Sequence, residues 1–304
     1  MPWNRRKFLK ATGLGLAGAT VATGGLLAWI QPRRHVWVPA KNDARPERAR
    51  TAKQVVVCGG GLAGISAATE LQARGFSVTL VERAPHLGGK LGGWPVSALG
   101  RTFPMEHGFH GFFHHYYNLH ELLGRAGVGG DLLATDSYPL LYQGQPEERF
   151  STTTTLFPLN LLAVIVRSPS MRFADFRFDG PGLEWLMRYD PAETFRRFDG
   201  MSFLDFMRVE GIRGGIVDTV LKPFAKASLN RLDAFSAAEA IRFFHFYFMG
   251  NPDGMGFRCT KRDSMTAILD PLRARFEGLG GTLRLGTSVR RLAVEGGRVA
   301  GVAI

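Results

Sequence analysis

Gln54-Val55-Val56-Val57-Cys58-Gly59-Gly60-Gly61-Leu62-Ala63-Gly64 is the stretch on which the fold turns. Residues 53–58 form a short β-branched run, the pattern of a strand buried inside a sheet. The glycines follow without a spacer, and residues 65–74 read as a helix that Gly75 ends. A second strand over 76–81 delivers Glu82, 18 residues after Gly64. Strand, glycine turn, helix, strand and acid in that order predict a Rossmann-type α/β unit. Gly59 permits the tight turn, Gly61 lets backbone approach a pyrophosphate, and Gly64 lets the helix pack on the strand. The helix N-terminus offers unpaired N–H groups to the anion, and Leu62 and Ala63, just before it, are candidate cofactor-binding residues as well. Glu82 can accept hydrogen bonds from ribose hydroxyls, and its charge disfavours a 2′-phosphate. A glycine-rich turn followed by an ordinary surface glutamate is the competing reading.

Which dinucleotide fits is decided further along. Arg83-Ala84-Pro85-His86-Leu87-Gly88-Gly89-Lys90-Leu91-Gly92-Gly93-Trp94 places two glycine doublets just after the acid. This resembles the FAD-binding signature of the flavin amine oxidase and phytoene desaturase superfamily. The resemblance implies FAD rather than NAD, with Arg83 among the cofactor contacts and Gly88 and Gly89 beside the pyrophosphate. Lys90 stands where the family more often has Arg, so it is expected to meet phosphate as a point charge without a bidentate fork.

The likeness continues through Met105-Glu106-His107-Gly108-Phe109-His110-Gly111-Phe112-Phe113 and Tyr116-Tyr117-Asn118-Leu119. These stretches are similar to the carotene desaturase branch, including isorenieratene synthase-type enzymes. Ser236-Ala237-Ala238-Glu239, Phe246-Tyr247-Phe248-Met249-Gly250 and Arg298-Val299-Ala300-Gly301-Val302 fit the same group, so the resemblance runs over residues 53–304. It implies a glutathione-reductase-like FAD-binding domain, residues 53–150 and 264–304, with an inserted mainly helical substrate domain, residues 151–263. The implied activity is that of an FAD-dependent oxidoreductase desaturating a carotenoid or related isoprenoid, with hydride passing to flavin N5 while a proton leaves the neighbouring carbon. Glu106, His107 and His110 are the candidate bases, with packing or flavin positioning as the alternative for each. The backbone of Val289 is expected beside the adenine, with an ordinary strand residue as the equal alternative. A flavin amine oxidase, a squalene-pathway flavoenzyme and a membrane-tethered flavin-binding or electron-transfer module without catalysis remain as other readings. Family chains are considerably longer and return to the flavin near their C-terminus, so this sequence is expected to be part of a longer one.

The middle of the chain lacks strand–helix alternation. Ser202-Phe203-Leu204-Asp205 loosely fits a capping box opening a helix to Val209. A helix over 237–249 carries Phe243, Phe244, Phe246, Tyr247 and Phe248, which suits either a core element or the lining of an apolar tunnel. The apolar stretch 156–166 is too short to span a bilayer but suits a membrane surface. Residues 265–276 read as a helix in which Pro271 makes a kink or, with Asp270 as cap, a fresh start. Strands over 282–285 and 289–294 follow.

The 304 residues, 45% of them hydrophobic and 21% charged, describe a globular chain with room for two domains. Cys58 and Cys259 are too few for a disulfide framework, and Cys58 is expected in the core. Neither C-x-x-C nor H-E-x-x-H occurs, and the histidines between His107 and His120 lack nearby Cys, so no metal is expected. The net charge of +12 invites nucleic acid, but residues 1–50 hold ten Lys/Arg against Asp43 and Glu47, leaving +4 for the remaining 254 residues. That distribution argues against a nucleic-acid partner.

The basic tail has its own pattern. Asn4-Arg5-Arg6-Lys7-Phe8-Leu9-Lys10 and the twenty uncharged residues after it resemble a twin-arginine (Tat) export signal. A basic surface helix is the alternative, though five glycines would weaken it. Residues 1–40 are therefore expected to be a signal or membrane anchor and 41–52 a linker. The Tat translocase and a membrane surface are the implied partners, and the periplasm or outer face of the cytoplasmic membrane the implied location.

Overall fold

The computed structural model describes residues 53–304 apart from 136, 142, 145, 152–162, 164, 173–176 and 250–255. The expected export segment, the linker and most of the stretch 156–166 lie outside the described residues. The described chain forms two compact units, one of residues 53–135 with 257–304 and the other of residues 136–256. These boundaries fall 15 and 7 residues earlier than the 150/151 and 263/264 divisions expected from the sequence.

In the first unit β1 (Gln54–Cys58) and β2 (Ser77–Val81) run parallel, from Gln54 opposite Ser77 to Cys58 opposite Val81. The helix Leu62–Ala73 joins them and buries Ile65 and Ala68 completely against a core that includes Leu80, Leu272 and Phe276. This is the strand–helix–strand unit that the glycine-rich stretch predicts. The helix begins three residues before the expected Ile65, because Gly61 itself serves as N-cap in an extended conformation. β3 (Gly93–Ala98) and β4 (Arg101–Glu106) then form an antiparallel hairpin. β5 (Phe112–Phe113), the helix Tyr117–Arg125 and β6 (Leu132–Thr135) complete the first pass.

The second unit is not wholly helical. It contains the hairpin β7 (Ser137–Leu140) with β8 (Glu148–Ser151), and β9 (Arg177–Phe178) paired with β10 (Ile212–Arg213). Its core is aromatic, with Phe198, Phe203 and Phe206 buried and stacked edge or face on one another. Ser202 caps the helix Phe203–Val209 by accepting the Asp205 N–H at 3.1 Å. The Asp205 carboxylate takes the Ser202 hydroxyl at 2.7 Å instead of completing a capping box, a side chain shorter than Glu reaching less far back. The helix Ala237–Phe244, capped by Ser236, widens into a π-turn over His245–Met249.

The chain returns with β11 (Phe257–Thr260), which lies antiparallel between β5 and β6 and so belongs to the first unit, although the expected boundary at 263/264 would put it in the inserted domain. A π-turn, Met265–Leu269, runs directly into the helix Asp270–Gly278. Asp270 is therefore helical rather than a cap, and the widened turn accommodates the ring of Pro271. β12 (Thr282–Arg284) pairs parallel with β2, giving the order β1-β2-β12, and β13 (Arg291–Glu295) and β14 (Arg298–Ala303) form an antiparallel ribbon. The strand expected to begin at Val289 thus begins at Arg291. β1 also departs from expectation: Gln54, Val56 and Cys58 are exposed, because β1 is an edge strand whose outer face has no cover among the described residues.

Candidate functional site

The glycine turn at the end of β1 is fixed by backbone hydrogen bonds. Gly59 N–H donates to the Val81 carbonyl at 2.7 Å, and Gly88 N–H donates to the Gly60 carbonyl at 2.8 Å. Gly61 and Gly88 also form a parallel bridge, so the second glycine stretch lies on the first. Two positions admit no side chain. A Cβ on Gly64 would run into the Gly59 carbonyl, and Gly88, at φ 115°, would meet Leu269 and the Gly92 nitrogen. Gly59 and Gly61 face open space, but Gly59, at φ 105°, sits in the left-handed region that disfavours a side chain. Leu62 and Ala63 occupy the first turn of a helix that no side chain caps, leaving its N–H groups available to an anion.

Glu82 leaves the end of β2 and turns back to this turn. Its Oε2 accepts the Gly60 N–H at 2.6 Å and its Oε1 the Ala84 N–H at 2.7 Å. Burial alone would raise its pKa, but the N–H groups of Ala84, Gly60 and Arg83 and the Arg83 charge together hold it below the ordinary carboxylate value. An open cavity of about 320 Å³ adjoins it, lined by Cys58, Gly59, Glu82, Arg83, Thr287 and Val289 among others. The segment bearing Val289 is tied to the acid: Thr287 N–H donates to the Glu82 carbonyl and Gly286 N–H to the Ala84 carbonyl, both at 2.9 Å.

A second cavity of about 340 Å³ is mainly apolar and is lined by Leu62, Lys90, Phe109, His110, Phe112 and Leu119 with their neighbours. Gly59 lines one cavity and Leu62, three residues on, lines the other, so the helix start stands between them. Lys90 lies in a short 3-10 turn, Gly89–Leu91, whose Gly89 approaches Gly61 closely. The residues present fit the ADP part of FAD: an ionised acid for ribose, bare glycine backbone and free N–H groups for pyrophosphate, and open space on both sides.

The three candidate bases part company. His110 lines the second cavity, and its buried Nε2 has no hydrogen-bond partner. Glu106 Oε2 stands 3.9 Å from that nitrogen, at ion-pair range, while Glu106 Oε1 accepts the Ser264 N–H. Glu106 therefore also ties β4 to the start of the π-turn at Met265. His107 lines neither cavity; its ring meets Trp94 edge-on at 5.0 Å and its Nδ1 donates to the Gly92 carbonyl at 3.2 Å. Its place is that of a prop beneath the second glycine doublet.

Sequence reasoning missed Gly60 as the partner of Glu82, and Thr287 and Ser288 as cavity lining. The signal for the latter was the Gly286 turn after β12, since ligands of parallel sheets bind at the carboxyl ends of strands. Cys58 is another miss, placed at the cavity wall rather than in the core.

Residues 62–303 match the model of the flavin containing amine oxidoreductase family. The chain is 44% identical over 302 residues to the carotenoid phi-ring synthase of Chlorobaculum tepidum, covering 97% of this chain and 46% of that one. It is 34% identical over 244 residues to the carotenoid phi-ring synthase of Streptomyces griseus, covering 79% and 47% respectively. The chain thus spans less than half the length of these relatives. An oxidoreductase structure from Methanosarcina mazei superposes with a TM-score of 0.50 at 19% identity, covering 82% of this chain and 55% of that one, a likeness of fold.

Proposed function

The chain belongs to the flavin containing amine oxidoreductase family, and from that membership we propose that it carries the FAD site of an oxidoreductase acting on a carotenoid or related isoprenoid. The observation that carries this reading is Glu82, ionised and held between the Gly60 and Ala84 N–H groups beside an open cavity. Carotenoid chemistry rests on the phi-ring synthases it resembles. When bound, FAD supplies the two-electron acceptor for desaturation.

The chain's residues divide the remaining work. Glu82 holds the ribose hydroxyls, the N–H groups at Leu62 and Ala63 meet the pyrophosphate, and Gly59, Gly61, Gly64, Gly88 and Gly89 keep side chains out of the way. Lys90 adds positive charge, while Arg83 and Val289 flank the nucleotide cavity. His110 faces an apolar space, with the Glu106 carboxylate 3.9 Å from its Nε2, and is the residue best placed to hold or accept a proton there. The unit of residues 136–256 is the proposed isoprenoid-holding part, its aromatic helix leaving Phe246 about half exposed at 47%. Anaerobic mixing of the FAD-loaded protein with polyene substrates tests this: flavin bleaching with formation of a more unsaturated polyene is expected, and bleaching by amines alone would overturn the substrate class.

We also propose that residues 1–40 direct export by the Tat route to the periplasm or the outer face of the cytoplasmic membrane. Replacing Arg5 and Arg6 by Lys should trap the protein in the cytoplasm, and unchanged export would remove the proposal.

A further inference from the structure

Three separate parts of the nucleotide-binding unit meet at Glu106. It ends β4, where Gly93 lies opposite it in the hairpin. Its Oε1 accepts the N–H of Ser264, a wholly buried residue 158 positions later. Ser264 opens the π-turn Met265–Leu269, whose Ala267, Ile268 and Leu269 belong to the core and whose Leu269 fills the space that a Cβ on Gly88 would need. One carboxylate oxygen is therefore anchored to the core, at a widened turn of the kind that recurs at functional sites.

The other oxygen, Oε2, stands 3.9 Å from His110 Nε2, an enclosed nitrogen with no hydrogen-bond partner. Leaving such a group unpaired is costly, and the Glu106 carboxylate is an acceptor within short reach. His110 also lines the apolar cavity with Phe109, Phe112 and Leu119, which leaves Nδ1 as the ring nitrogen able to face it. A neutral imidazole carries one N–H, and the partner of one nitrogen decides what the other can do. A carboxylate only accepts, so beside Nε2 it selects the Nε2–H form and leaves Nδ1 with its lone pair.

We propose that Glu106 is a positioning residue: held by the Ser264 N–H, its carboxylate fixes His110 as the Nε2–H tautomer and so makes Nδ1 the proton acceptor of the apolar cavity. The 3.9 Å gap tightens to a hydrogen bond when the cavity is filled, as the contacts of catalytic groups commonly do. In the desaturation proposed above, the electrons of one substrate C–H bond become the new double bond and its proton passes to Nδ1, while the hydride of the neighbouring carbon goes to the flavin. The protonated ring keeps its Nε2–H on Glu106. Glu106 itself lines neither cavity, which takes it off the list of bases that touch substrate. The inference rests on the reading of the apolar cavity as the reaction site.

The test is nitrogen-15 NMR of the histidine rings in the full 304-residue chain, with and without FAD, at about pH 8, where an ordinary imidazole is neutral. The signals of His110 are those lost in His110→Ala. A protonated Nε2 and a bare Nδ1 are expected in both states. Glu106→Gln keeps an acceptor for the Ser264 N–H but can offer its own N–H to Nε2, so it should reverse the tautomer. Turnover of Glu106→Gln should fall as far as that of His110→Ala, by about tenfold or more with FAD content unchanged, and the double variant should fall no further. An Nδ1–H ring in wild type overturns the inference, as does the same tautomer in wild type and Glu106→Gln, or an additive loss in the double variant. The expected tautomers without turnover of any polyene defeat the desaturase reading and spare the pair, and polyene turnover with an Nδ1–H ring does the reverse.

Discussion

The Glu82 carboxylate accepts the N–H of Gly60 at 2.6 Å, joining the end of β2 to the glycine turn after β1 across 22 residues. One side chain thus shapes the turn and presents the remaining lone pairs of an ionised carboxylate to the cavity beside it.

Removing that charge should affect both binding and folding. Glu82→Ala is expected to weaken FAD binding by about tenfold or more, the loss of charge-assisted hydrogen bonds to a ligand. In the folded chain its pKa lies below the ordinary carboxylate value, so the stabilisation is present above that ordinary value and fades as pH falls through the lowered one. Denaturation of wild type and Glu82→Gln should therefore differ at pH 7 and converge in acid. An equal gap at both pH values would contradict the assignment.

Gly64→Ala places a methyl group against the Gly59 carbonyl. Either the helix Leu62–Ala73 shifts or the turn deforms, at a cost of about 1–3 kcal/mol. Urea titration should show that loss together with weaker FAD binding. Unchanged stability would mean that the helix is less closely seated on the turn than described.

His245 predicts an acid sensitivity in the other unit. Burial lowers its pKa from 6.5 to about 4, opposed by its hydrogen bond to the Leu186 backbone. A depressed histidine favours the unfolded state on acidification, because the unfolded chain takes up the proton first. Stability should fall from about pH 6.5 downward, by about 3 kcal/mol at pH 4. His245→Gln should flatten this part of the stability–pH curve, and an unaltered slope would assign the effect elsewhere.

His110→Ala should leave FAD content unchanged while lowering turnover by about tenfold or more. Rapid-mixing kinetics on the FAD-loaded variant reads this directly. Full turnover would reduce His110 to a wall of the apolar cavity.

The nucleotide-binding unit was legible because its parts are consecutive: strand, turn, helix and acid fall within residues 53–82, and local chemistry determines each. Cys58 and Val56 were misread because burial depends on what lies across an edge, which a β-branched run does not state. β11 was hidden for a related reason. Phe257 pairs with Phe113 and Thr135, partners more than a hundred residues away, and four residues carry little periodicity of their own. The cavity role of Thr287 arises from the parallel placement of β12 beside β2, a non-local pairing of the same kind. Among the histidines, only position separated His110 at a cavity from His107 under Gly92; their side-chain chemistry is identical.

The most direct test of the account is a fluorescence titration of the purified 304-residue chain with FAD, competed by ADP and by NAD, beside Glu82→Ala. Saturable FAD binding, displaced by ADP more readily than by NAD and weakened in the variant, is the predicted result. Equal FAD binding by wild type and Glu82→Ala, or none by wild type, would contradict it.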